Sequence, residues 1–221
     1  MKPKLVIFGS GDIAQLAHYY LSTDSNYEIV GFSVDGAYLT KTDFCGLPVV
    51  AFEEIAERYP PDTNELFVAL SYSKLNEVRK GKYLAAKALG YQLASYISSR
   101  CTVLNASKIG ENCFILEDNT IQPFVTIGNN VTLWSGNHIG HHSTIHDHCF
   151  IASHVVISGG VEIDESCFIG VNATLRDHIK VGAKCVIGAG ALLLADAEPE
   201  GVYIGQATER AKIPSTRLRK I

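Results

Sequence analysis

The sequence predicts two architectures in one chain of 221 residues. A small α/β unit with a parallel sheet is expected over 1–100, a parallel β-helix over 101–195, and a capping tail over 196–221. Three observations carry this division. A strand, a glycine loop and a helix open the chain, aliphatic residues then recur at every sixth position, and the recurrence fails after Asp196.

The first element is a strand at Lys4–Phe8 (KLVIF), followed by Gly9-Ser10-Gly11-Asp12-Ile13-Ala14 and a helix through about 15–21. A second strand follows at Glu28–Val34 (EIVGFSV) and ends at Asp35. Further strands are expected over 66–70 and near 91–96, with a helix over about 75–89 between them. Strands alternating with helices imply a parallel sheet. The unit has room for half of a doubly wound dinucleotide fold. In the loop, the glycines permit a tight turn and close backbone approach, and the following helix N-terminus suits a phosphate. Gly9, Ser10, Gly11, Asp12 and Ile13 are therefore candidate nucleotide contacts, with Asp35 placed to hold a ribose or a base. A glycine turn that binds nothing remains the alternative, and a redox role with NAD is disfavoured because the second half of such a fold is missing.

From Val103 to Leu193, sixteen consecutive positions spaced by six are Ile, Leu or Val. Four places after each anchor the residue is usually small or slender, as at Ser107, Cys113, Val125, Ser143, Cys149, Cys167, Ala173 and Cys185. This hexapeptide period is that of a parallel β-helix: each hexad is a flat face and a corner, and three faces make a coil. Anchors and small residues point inward, so the cysteines read as small buried hydrophobes rather than as bridges. Asn119 and Asn137 take the small inward place one coil apart, where an amide ladder is expected. Ser98–Cys101 would link the two units.

The net charge of −4 gives no basic footprint for nucleic acid or an anionic membrane. No apolar run reaches the roughly 18 residues of a membrane span. The opening MKPKLVIFGSGDIAQ reads as a strand entering a loop, not as a signal peptide. Six cysteines without CxxC spacing point to a reducing, cytoplasmic compartment.

Residues 135–154 (SGNHIGHHSTIHDHCFIASH) hold six of the eight histidines. The hexad register divides them. His141 lies two places after the anchor Ile139 and should point outward, while His142, His148 and His154 share one register on three successive faces. One subunit cannot gather those three on a metal, so no metal is expected, although a trimer could join histidines of different subunits as γ-type carbonic anhydrases do with zinc. Gly159, eighteen residues after His141, should sit directly over it. A base beside an open backbone N–H is what acyl transfer needs; a plain surface histidine and a coil bulge are the alternatives.

Given this loop, the hexads and the Pro199-Glu200-Gly201-Val202-Tyr203-Ile204-Gly205 ending, nearly the whole chain resembles the PglD/NeuD-like nucleotide-sugar acetyltransferases. The resemblance implies a Rossmann-like N-terminal domain that holds the nucleotide sugar, a left-handed β-helix, and acetyl-CoA bound between the β-helices of a homotrimer. It implies N-acetylation of a nucleotide-linked dideoxy or trideoxy amino sugar for bacterial surface glycans such as lipopolysaccharide O-antigen. Residue by residue, it implies His141 as the base with His142 beside it and Gly159 as the oxyanion donor. Acetyl-CoA would meet Gly159, Gly160, Gly170, Val171, Asn172 and Ala189; His142, Asn137 and His138 would orient His141 or touch the sugar, and Trp134 would flank the acceptor pocket. Relatives often carry Glu where this chain has His142, a second histidine where it has Phe150, and Gly-His-Gly in the glycine loop. A sugar hydroxyl as acceptor, another acyl-CoA as donor, or a non-catalytic sugar-nucleotide binder are the other readings.

Overall fold

The computed structural model describes residues 2–104, 108–210 and 212–217; Ser107, named above among the small inward residues, lies outside them. Strands β1 (Lys4–Phe8), β2 (Glu28–Val34), β3 (Asp43–Phe44), β4 (Leu47–Ala51) and β5 (Asn64–Val68) form one sheet in the order β3-β4-β2-β1-β5. It is parallel except for the β3–β4 hairpin. Sequence reading missed that hairpin; its signal is Cys45-Gly46, both with positive φ (52° and 76°), the conformation a two-residue hairpin turn requires. Helix α1 (Asp12–Thr23) buries Ala14, Ala17 and Leu21 against Leu5, Ile7 and Phe67 on one face of the sheet. Helices α2 (Ile55–Arg58) and α3 (Glu77–Ala88) cover Val6, Phe8 and Val68 on the other.

The strand expected near 91–96 does not complete this sheet. Leu93 makes a single bridge to Leu66, and Tyr96–Ile97 (β6) pairs instead with Phe114–Ile115 on the β-helix. Helix-type pairing therefore begins at Tyr96, ahead of the expected linker. The sixteen anchors are the second residues of sixteen two-residue strands, from β7 (Thr102–Val103) to β22 (Leu192–Leu193). Pairing joins each strand to the one eighteen residues on, as Thr120 to His138, giving three parallel faces. Face one holds β7, β10, β13, β16, β19 and β22; face two β8, β11, β14, β17 and β20; face three β6, β9, β12, β15, β18, β21 and, from the tail, β23 (Val202–Tyr203). Ala197 bridges Val181 and β23 pairs with β21, so the tail adds a last, shorter coil. From Ile115 to Leu193 every anchor is buried, and together they form one continuous aliphatic column. Each buried aliphatic side chain contributes roughly 1.5–3 kcal/mol.

The corners explain the sequence as much as the core does. Fourteen successive residues at every sixth position, from Asn112 to Gly190, have positive φ between 53° and 80°. Eleven of them are Gly, Asn, Asp or His, the types that tolerate a left-handed backbone best. His142, His148, His154 and His178 all occupy this position, so half of the chain's histidines meet a backbone requirement of the fold.

The two units pack through face three. Phe114, Leu116 and Trp134 join the core beneath α1, and Phe150 stacks on Phe168 (5.8 Å) with the Tyr72 ring set against both. Arg79 of α3 is buried at the corner between faces two and three. It donates to Thr132 Oγ1, Asn76 Oδ1 and the carbonyls of His148 and Cys149, while its Nε has no acceptor among the described residues. Burial without a carboxylate pushes the guanidinium down to about 10.

Candidate active site

Each corner histidine meets a different environment. His148 is buried between faces two and three, where Tyr83 of α3 lies against its ring (5.5 Å) and Asn130 Nδ2 lies 3.0 Å from Nδ1. Burial and the nearby Lys80 lower its pKa. Asn112, Asn130 and His148 form a corner ladder that sequence reading missed; its signal is the two asparagines eighteen residues apart. His154 lies over Gly136 at the corner between faces three and one, and His142 lies at the corner between faces one and two. The three therefore stand at three corners, as their register implied.

His141 and Gly159 come together as expected. A Cβ built on Gly159 would stand 2.6 Å from His141 Cε1 and 2.7 Å from Nε2, so only glycine lets the imidazole lie there. His141 Nδ1 is 3.0 Å from His142 Nδ1, and its backbone N–H donates to Gln122 Oε1 at 2.9 Å. Nδ1 is thus engaged and Nε2 is the nitrogen facing the glycine. Among the described residues the Gly159 N–H has no acceptor, while its carbonyl takes the His178 N–H at 3.0 Å. Gly160 holds a positive φ of 68°, donates to the His141 carbonyl at 2.8 Å, and lies beneath the His178 ring. A proton-accepting nitrogen, an unpaired backbone donor and an open surface are the parts of an acyl-transfer site.

The other candidates fall elsewhere. Gly11, Asp12 and Ile13 line a cleft of about 720 Å³ with Leu70, Tyr72 and Trp134, so Trp134 shares a wall with the glycine loop. Gly9 is held at φ 128° with Ala69 O 2.7 Å from where a Cβ would be, which demands glycine. Ser10 borders a smaller adjoining cleft of about 160 Å³ with Tyr38, Lys41 and Asp43. Asp35 is not in the larger cleft; it pairs with Lys82 of α3, whose ammonium lies over the Phe8 and Phe52 rings. Asn137 needs correction as a sugar contact. Its side chain points inward, 1% exposed, donating to the Trp134 carbonyl and accepting the Val155 N–H at 2.8 Å. Asn119 likewise accepts the Asn137 N–H at 3.2 Å, so the expected amide ladder runs side chain to backbone. His138 is half-buried on face one.

Val171 and Ala189, both exposed, sit at matching places of successive hexads at the corner between faces three and one, followed by the corner residues Asn172 and Gly190. A Cβ on Gly170 would stand 2.6 Å from the Ala189 amide nitrogen, so glycine lets the successive coils approach closely there. The Val171–Ala189 strip lies a face away from His141. Phe150 is 3% exposed beneath Tyr72 and Trp134, a packing residue of the interface between units. Among the described residues, one His/Asp/Glu group has metal-like spacing, His146, Glu162 and Asp164, and Lys180 already pairs with both carboxylates.

These features define the class, a hexapeptide-repeat β-helix protein with an N-terminal α/β unit. Residues 106–138 and 124–159 match the bacterial transferase hexapeptide (six repeats), and residues 160–195 match the hexapeptide repeat of succinyl-transferase. The parallel faces and these repeats fit a left-handed β-helix. The fold is shared with a histidine-to-asparagine mutant of perosamine N-acetyltransferase from Caulobacter crescentus, in complex with CoA and GDP-perosamine (21% identity, 91% of this chain and 93% of that chain, TM-score 0.81). It is shared also with the acetyltransferase domain of PglB from Neisseria gonorrhoeae in complex with acetyl coenzyme A (22%, 90% and 94%, 0.61) and with WeeI from Acinetobacter baumannii (19%, 91% and 96%, 0.68). The first two are acetyltransferases by name, the kind of protein the sequence resembles. No curated protein matches the chain in sequence. Among the described residues no helix is long and apolar enough to cross a membrane.

Proposed function

We propose that the chain is an acetyl-CoA-dependent N-acetyltransferase acting on a nucleotide-linked amino sugar. The observation that carries this reading is the pairing of His141 Nε2 with Gly159, whose N–H is unclaimed among the described residues. The thioester of acetyl-CoA supplies the activated carbonyl. His141 Nε2 takes a proton from the sugar amine as its nitrogen forms the new C–N bond. The Gly159 N–H holds the oxyanion, and the His141 proton passes to the thiolate as the C–S bond breaks. The GDP-perosamine and acetyl-CoA complexes of the structural neighbours support this substrate class.

In this reading residues 1–100 bind the nucleotide sugar through the cleft of Gly11, Asp12, Ile13 and Trp134, residues 101–195 carry the chemistry, and residues 196–221 cap the coil. The sugar cleft and the Val171–Ala189 strip lie on the face-three side, whereas His141 and Gly159 lie at the far edge of face one. A neighbouring copy in a homotrimer would bring the two halves together. The test is a thiol-release assay with acetyl-CoA against UDP-, dTDP- and GDP-amino sugars, run alongside His141→Ala. Turnover with one of these sugars, reduced about 10²–10⁴-fold in the variant, is expected; a near-native rate for His141→Ala would reject His141 as the base.

A further inference from the structure

We propose that His142 is the positioning residue of His141: it fixes the tautomer that leaves Nε2 free, and it shares the proton that His141 accepts. The proposal rests on reading His141 as the base. The two Nδ1 atoms are 3.0 Å apart, and the rings stand nearly perpendicular (85°). Two imidazole nitrogens in that contact need one donor and one acceptor. When His141 carries its proton on Nδ1 and donates it to His142, its Nε2 is a lone pair facing Gly159. When His142 donates instead, His141 holds its proton on Nε2 and has nothing with which to take one from an amine.

The coil below fixes the pair. Gln122 Oε1 accepts the His141 N–H, the Pro123 carbonyl accepts the His142 N–H at 3.2 Å, and the exposed Phe124 ring lies 4.7 Å from the His142 ring at 35°. Phe124 and His142 share the left-handed corner conformation (φ 66° and 60°), so their side chains leave successive coils in the same sense and lie against each other. Phe124 anchors the ring but offers no acceptor for its nitrogens. On the other side the pair meets Gly159 and Gly160, which carry no charge; beyond them, Asp177 and His178 stand one coil further on at the same corner. Pro123 and Phe124 are not titratable, and His138 is the remaining titratable group on the same hexad.

The step balances as follows. A proton from the amine enters His141 Nε2, and the Nδ1 proton of His141 passes to His142 Nδ1, leaving the positive charge on His142. Either location fills His141 Nε2, so the first proton bound by the pair silences the base whichever ring holds the charge.

Two variants separate this from a packing role. His142→Gln keeps an oxygen acceptor that never titrates, whereas His142→Phe keeps a ring for Phe124 and removes the acceptor; Phe124 already shows that phenylalanine suits this corner. On the full chain labelled with ¹⁵N-histidine, the native protein should show neutral His141 as the Nδ1–H tautomer. That tautomer should persist in His142→Gln and be lost in His142→Phe. With a sugar that the native protein acetylates, His142→Gln should turn over about 10-fold or more faster than His142→Phe. An unchanged His141 tautomer in the phenylalanine variant, or phenylalanine equalling glutamine in rate, overturns the proposal. The tautomer is read without any substrate, so a chain that acetylates none of the sugars would defeat the functional reading and still leave the pairing decided.

Discussion

Adding one methyl group at Gly159 tests the site most directly. The Cβ of Gly159→Ala would stand 2.6–2.7 Å from His141 Cε1 and Nε2 and 3.1 Å from Nδ1. Ordinary contact begins near 3.4 Å, so the ring must retreat by about 0.7 Å. A displacement approaching 1 Å at a catalytic group costs about 10²-fold in rate, or roughly 2.7 kcal/mol of barrier. The same motion strains the Nδ1 contact with His142, worth about 0.5–1.5 kcal/mol. Gly159 is not among the glycines with positive φ, so alanine brings no backbone penalty and reduces unfolded-chain entropy by about 0.4–1 kcal/mol. The expected result is a thermal midpoint that holds or rises while kcat for thiol release falls about 10²-fold. In the double variant with His141→Ala the added loss should vanish, because both changes act through one imidazole. Gly136→Ala is the control: its Cβ would meet His154 Nδ1 at 2.5 Å and φ is 80°, so it should lower stability by about 1 kcal/mol with activity intact. Gly159→Ala turning over within about threefold of the native protein would refute the argument.

Three further outcomes concern buried side chains. Asn137→Ala strands the buried Val155 N–H and leaves the Trp134 carbonyl with Asn119 Nδ2 as donor, so urea unfolding should show a loss of about 1–3 kcal/mol with the KM for the sugar unchanged. Arg79→Ala opens a cavity between the units and strips the carbonyls of His148 and Cys149 of a donor; calorimetry should record a loss of about 3–5 kcal/mol. The third concerns pH. His148 has a folded pKa below its ordinary 6.5, so the unfolded chain binds more protons and stability falls as pH drops from about 6.5 toward the folded value. His148→Asn keeps a residue suited to the left-handed corner, extends the Asn112–Asn130 ladder, and should flatten that acid limb in denaturant titrations.

The β-helix was legible because its period is a single constraint repeated. An inward anchor every six residues fixes the register, and the register then places Gly159 on His141 without further information. The N-terminal unit was read less completely. The hairpin at Cys45-Gly46 rests on two left-handed residues of which only one is glycine. The segment near 91–96 is apolar enough for a strand, but its last residue, Tyr96, buries against Phe114 on face three rather than extending the first sheet. Asn137 and Asp35 show the limit most clearly. Register places Asn137 inward, and inside the coil its amide bonds backbone rather than a sugar. Asp35 follows β2 as expected, but Lys82 lies on a helix 47 residues away, and no local pattern reports that pairing.

Much of the histidine density at 135–154 reflects backbone geometry. A corner that holds φ near 60° selects Gly, Asn, Asp and His, and this chain filled four of those places with histidine. Only one of the four, His142, contacts another imidazole. His148 is consumed by α3 and Asn130, and His154 and His178 lie over glycines. What marks His141 is that it is not a corner residue. It stands one place earlier, where the backbone imposes no preference for histidine, and Gly159 above it lacks a positive φ that would explain a glycine there. Two residues whose identities the fold does not require, fitted to each other at a distance that excludes a methyl group, make a stronger case for chemistry than the count of histidines around them.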